Sequence, residues 1–239
     1  MPFALAVLVC TLVYMESWPV GQFLLGRPAL LLPLLGLACG QPWAGLWLGA
    51  VLELLPLRTL PMGSTLPPDP ALAGAWTLLG LSLGSHPILR GLPEEQGTTL
   101  ALLIAVPLCW LAPWLTEAQR RVNGRLWRPR FEQAVLAGDA DRCGHLMGGT
   151  LAQTALLGAL VSGLTLAAVS LAAAPLSLLA VRLTESRLAG VLPLRWALLA
   201  VALGGLWRHA GGRLGRRALW AGAALGLLLA QLWGAGRLP

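Results

Sequence analysis

"GRPALLLPLLGLACGQPWAGLWLGAVLELL" occupies Gly26–Leu55, and only Arg27 near one end and Glu53 near the other carry charge. Two apolar blocks, Pro28–Cys39 and Trp43–Leu57, are separated by the helix-breaking Gly40-Gln41-Pro42. A simple spanning helix needs about 20 residues, and neither block reaches that. Short, Gly/Pro-interrupted apolar segments point to broken helices or a re-entrant hairpin. Backbone broken at membrane depth is stable only where protein or a water-filled cavity covers it. Two readings stay open: a pair that lines a cavity, or a tilted pair of short helices packed between longer ones.

Gly45, Gly49 and Glu53 are spaced by four, which puts the carboxylate on the small-residue stripe of a helix. Gly36 and Gly40, and later Gly80 and Gly84, repeat the spacing and mark candidate seams for close helix contact. An ionisable group at membrane depth costs on the order of 2.5 kcal/mol or more, so it is normally turned inward and paired or hydrated. Glu53 is therefore a functional candidate. The competing reading sets it near the headgroups, paired with Arg27 or Arg58.

The whole chain extends this pattern. Of 239 residues, 56% are hydrophobic and 11% charged, with a mean hydropathy of +0.72, more apolar surface than a water-soluble domain of this size buries. Further apolar blocks run over Phe3–Tyr14, Ala71–Leu83, Thr98–Leu115, Leu151–Val181, Val191–Trp207 and Arg217–Trp233. The expected fold is an all-α integral membrane protein, a multi-spanning bundle with short broken or re-entrant segments in its front half. Residues 1–239 are expected to form a single membrane domain: a front half to 115, an arginine-rich cytoplasmic hinge at 116–150, and later transmembrane helices from 151. The run Phe3–Met15 lacks a positive flank and a small-residue cleavage site, and is expected to be a retained membrane segment.

The net charge of +7 rests on arginine alone, since the sequence has no lysine. Arg120, Arg121, Arg125, Arg128, Arg130 and Arg142 mark the hinge, and Arg208, Arg213, Arg216 and Arg217 a second basic segment. The positive-inside rule puts both on the cytoplasmic side, with two spans between them, and arginines there meet membrane lipid. No basic face with interleaved aromatic residues supports a nucleic-acid partner. Cys10, Cys39, Cys109 and Cys143 form no C-x-x-C pair, and His86, His145 and His209 are scattered. Neither a metal site, a cofactor site nor a catalytic constellation is expected.

The break after Glu53 reads "LRTLPMGSTLPPDPALAGAW". Asp69 before Pro70 has the position of a helix cap. The hydroxyls of Ser64 and Thr65, with backbone amides at that helix start, would suit a polyhydroxylated ligand.

These residues together resemble the membrane-embedded enzyme IIC component of mannose/fructose/sorbose-type sugar phosphotransferase systems. The resemblance rests on Arg27-Pro28, on the Gly-rich run with Gly36, Gly40, Gly45, Gly49 and Glu53, and on "GSTLPPDPALA" with Gly63 and Pro68-Asp69. It covers roughly residues 20 to 75, continues more weakly through "RRVNGRLWRPRFEQAVLAGDADRCGHLMGG", and beyond Leu151 is one of hydropathy alone. It implies a multi-pass permease of the bacterial cytoplasmic (inner) membrane, in a homo-oligomeric assembly, that works with a IID membrane component and with cytoplasmic IIA and IIB components of the same phosphotransferase system. It further implies a hexose-like sugar bound by Glu53 with Gln22, Arg27, Ser64, Thr65 and Asp69. Phosphoryl transfer falls to the IIB component, so the chain is not itself an enzyme. Where the family usually carries Leu-Gly-Asp, this chain has Cys39-Gly40-Gln41. That departure motivates the alternative of a non-transporting membrane partner that docks or regulates phosphotransfer proteins.

Overall fold

The computed structural model describes residues 2–17, 26–54, 69–83 and 94–185, and all regular structure among them is helical. In chain order the helices are α1 (Phe3–Ser17), α2 (Pro28–Ala38), α3 (Pro42–Leu54), α4 (Pro70–Ser82), α5 (Glu94–Leu108), α6 (Leu111–Leu126), α7 (Arg128–Leu136) and α8 (Ala140–Glu185). The apolar blocks Val191–Trp207 and Arg217–Trp233, and the second basic segment, lie outside the described residues.

The hairpin α2–α3 turns on Gly40. Its φ of +71° is the left-handed conformation that glycine adopts without steric cost. The Gln41 N–H bonds the Gly36 carbonyl at 2.7 Å and the Gly40 N–H the Leu37 carbonyl at 3.1 Å, so the last carbonyls of α2 are satisfied. Pro42, which lacks an N–H, then opens α3 where that donor is not needed. The two helices have 11 and 13 residues, about 17 and 20 Å at 1.5 Å per residue. Both fall short of the roughly 30 Å of a hydrocarbon core.

Two longer stretches, Gly97–Leu126 and Ala140–Ala173, are long and apolar enough to cross a membrane. The first is not one helix, although the apolar run Thr98–Leu115 reads as continuous. It breaks at Cys109-Trp110, between α5 and α6. Pro113, in the first turn of α6, has no N–H to offer the carbonyl of Cys109 four residues back. The Asp69 N–H takes that carbonyl instead, at 3.3 Å. The break is thus covered by the start of α4, as broken backbone in an apolar setting requires.

The hinge 116–150 is also helical: the end of α6, all of α7 and the first turns of α8. Gly138, at φ +70°, closes α7 with the same pair of carbonyl bonds seen at Gly40, and Asp139 caps α8 through the Arg142 N–H at 2.9 Å. α8 therefore starts well before the expected Leu151, and its 46 residues extend about 70 Å.

α4 forms the centre. Every residue from Ala71 to Leu81 is buried, and the helix packs against α1, α2, α3, α5, α6 and α8, as a helix apolar on all sides must. The Trp76 indole N–H donates to the Ser162 hydroxyl of α8 at 3.0 Å. Large leucines point outward: Leu8 and Leu12 on α1, Leu30 and Leu34 on α2, Leu156, Leu160 and Leu164 on α8. Small and hydroxylated residues such as Ala73, Thr77 and Ser162 lie inside. They share the interior with large side chains such as Trp76, Leu48 and Leu78, and a broad exposed surface of leucines suits a lipid surround.

Candidate functional site

Glycines place Glu53. A β-carbon built on Gly45 would lie 2.9 Å from the Cα of Gly36, and one on Gly49 would lie 2.8 Å from the carbonyl oxygen of Pro28. Only bare backbone lets α3 lie this close to α2, and the same stripe carries Glu53 to the start of α2. There Arg27 Nη1 donates to Glu53 Oε1 at 2.9 Å, and the Ala29 N–H donates to Oε2 at 3.3 Å. The carboxylate balances both the guanidinium and the positive end of α2. Glu53 is 23% exposed and Arg27 60%. The ion pair anticipated as one of two readings is present, and it leaves the carboxylate within reach of solvent.

Glu16 belongs to the same corner, a residue that the sequence patterns do not single out. A β-carbon on Gly26 would sit 3.5 Å from its Oε2. Two residues earlier on α1, Tyr14 is buried in the core that also holds the first turn of α4. The last turn of α1 thus links two polar groups at one end of the bundle: Glu16, Arg27 and Glu53 on one side, Tyr14 and Asp69 on the other.

Asp69 is 9% exposed and caps α4, its Oδ1 accepting the Leu72 N–H at 3.0 Å. Pro70 follows at the first helical position. Beside it runs a buried chain of uncharged polar groups. The Tyr14 hydroxyl donates to Gln119 Oε1, the Gln119 amide donates to the Thr154 hydroxyl, and that hydroxyl donates to the Thr150 carbonyl at 2.8 Å. The chain joins α1, α6 and α8. No local pattern announces it, since Tyr14 and Gln119 are 105 residues apart; the only signal is that each is a polar residue on an otherwise apolar helix face.

Of the six predicted site residues, Arg27 and Glu53 are brought into direct contact, and Asp69 lies at the same end. Gln22, Ser64 and Thr65 lie outside the described residues. At the hinge, Glu117 and Glu132 pair with Arg121 and Arg128 at 3.0 and 2.8 Å. The hydrogen bond and charge of Glu132 raise the Arg128 pKa above its ordinary value.

The family model described as "PTS system sorbose-specific iic component" matches residues 1–193. The chain belongs to this family. A search of curated proteins finds no match. As a sorbose-type IIC component of a phosphotransferase system, the chain is a membrane protein of sugar transport, and it works with other components of such a system. The match reaches past the hinge and along the whole of α8, well beyond the stretch on which the motifs are concentrated.

Proposed function

We propose that this IIC component binds a hexose-like sugar at the end of the bundle where Arg27, Glu53 and Asp69 meet the last turn of α1. It passes the sugar across the bacterial inner membrane as a multi-pass permease. The observation that carries this reading is the Glu53 carboxylate, held by Arg27 and the amide end of α2 and still open to solvent. A carboxylate so oriented accepts charge-assisted hydrogen bonds from a pair of sugar hydroxyls. Gln22, Ser64 and Thr65 add hydroxyl and amide partners, and Asp69 supports the site by fixing the start of α4. The chain supplies binding and the path. A cytoplasmic IIB component, charged by a IIA component, phosphorylates the sugar, and a IID component completes the assembly in the membrane, in which this chain is homo-oligomeric.

The test is phosphorylation-dependent uptake of labelled hexoses in cells carrying this chain, its IID component and the soluble phosphotransfer proteins. A lost charge-assisted bond costs roughly 1.5–3 kcal/mol, so Glu53→Gln is expected to weaken half-saturation about 10- to 100-fold. Equal uptake by wild type and variant would remove Glu53 from the site. Capture of the IIB component by a complex that binds no sugar in calorimetry would instead favour a docking or regulatory role.

A further inference from the structure

Glu16 is the first charged side chain of the sequence, and none follows it before Arg27. It stands in the last turn of α1, where helix electrostatics work against it. The C-terminal end of a helix carries partial negative charge, so a carboxylate there is repelled by the last carbonyls. No basic residue in that turn offsets the repulsion. Among the described residues Glu16 has neither a hydrogen bond nor an ion pair. An acid left uncompensated at the end of an apolar membrane helix is a candidate for function.

Its position ties it to the Arg27–Glu53 corner. A β-carbon built on Gly26 would lie 3.5 Å from Glu16 Oε2 and 3.9 Å from Oε1, so the carboxylate lies against the residue that precedes Arg27. Even so, Arg27 gives its ion pair to Glu53. Glu53 has one oxygen on that guanidinium and the other on the Ala29 N–H. The corner therefore holds two carboxylates for one arginine. The first is neutralised, while the second, half-buried on α1, has both oxygens free to accept among the described residues. No third His, Cys, Asp or Glu among the described residues joins the two into a metal-binding group, and an uncharged donor-rich molecule is the ligand that such a pair suits.

We propose that Glu16 is a second acceptor in the sugar site: it takes one hydroxyl of the hexose while Glu53 takes another, and so helps to decide which hexose is bound. The inference rests on the sugar-site reading above and adds a residue to it. A hydrogen bond from a hydroxyl to a carboxylate is short and strong. Two carboxylates on separate helices, α1 and α3, thus read the relative positions of two hydroxyls. A sugar that lacks one of them leaves a carboxylate without its donor, which is how a site built for hydrogen bonding rejects a close analogue. The charge that α1 disfavours is offset by that donor when the site fills.

Binding of a labelled hexose to the detergent-purified complex of this chain with its IID component tests it, with unlabelled monodeoxyhexoses as competitors. Glu16→Gln is expected to weaken the parent hexose about 10- to 100-fold, with Tm unchanged or slightly higher because a misplaced charge is gone. The panel of competitors decides. One deoxyhexose, already weak on wild type, should bind Glu16→Gln no worse than it binds wild type, while every other competitor loses the full factor. Glu53→Gln should spare a different member of the panel. A uniform loss across the panel, whether or not Tm falls with it, would mean that Glu16 acts through the charge on Arg27 or through the fold, and would overturn the proposal. So would full-affinity binding by Glu16→Gln. In that case a weak Glu53→Gln would leave the sugar site standing without its second acceptor, whereas a Glu53→Gln of full affinity would remove the site as well.

Discussion

Arg27 is mostly exposed, so solvent screens its pair with Glu53 and limits the contribution to stability to about 1 kcal/mol or less. Glu53→Gln is accordingly expected to move the Tm of the detergent-purified chain by no more than about 4 °C, while sugar uptake falls. A large drop in Tm would assign the residue to structure. Gly45 behaves in the opposite way. The neighbours that its β-carbon would meet are backbone atoms of α2, which cannot swing aside as a flexible side chain can. Gly45→Ala should cost about 1–3 kcal/mol by overpacking, read as a lower Tm. Gly148→Ala, on the open side of α8 with nothing within 4 Å, should cost nothing and gain slightly from helix propensity.

At the scale of the helix, Asp69 separates capping from charge. Asparagine caps as well as aspartate, whereas alanine loses about 1 kcal/mol. Asp69→Asn is thus expected to keep the thermal midpoint and Asp69→Ala to lower it by a few degrees; equal losses in both would mean that the charge itself holds α4. The starts of the front helices are legible in the sequence because proline marks them: Pro28, Pro42 and Pro70 each open a helix, and the Gly40 turn and the Gly45–Gly49–Glu53 stripe follow from local chemistry. The break at Cys109-Trp110 is not legible, since hydropathy runs unbroken across it. Pro113 is visible, but its consequence depends on a donor far away in the chain, the Asp69 amide. The contacts of Tyr14, Gln119 and Thr154 are likewise set by tertiary packing. The polar, glycine-containing start of α8 reads as linker because its helix is made by the Asp139 cap and by packing on α7.

Over the whole molecule, the cysteines report both burial and sidedness. Cys10, Cys39 and Cys109 lie in the core, and Cys143 is half-exposed in the first turn of α8. A membrane-impermeant maleimide should label Cys143 in inside-out vesicles and not in right-side-out ones, and should reach the other three only after denaturation. Labelling from the outside would reverse the topology derived from the arginines. The central place of α4 also bears on how the molecule is made. A ribosome delivers the chain from its N-terminus, so α4 emerges before α5, α6 and α8, which will enclose it. The Asp69 amide is therefore already waiting when the Cys109 carbonyl arrives, but the Trp76 indole must remain without its Ser162 partner until another 86 residues have been synthesised. Among the described helices the innermost is made fourth of eight, so half of its walls are still to come when it leaves the ribosome.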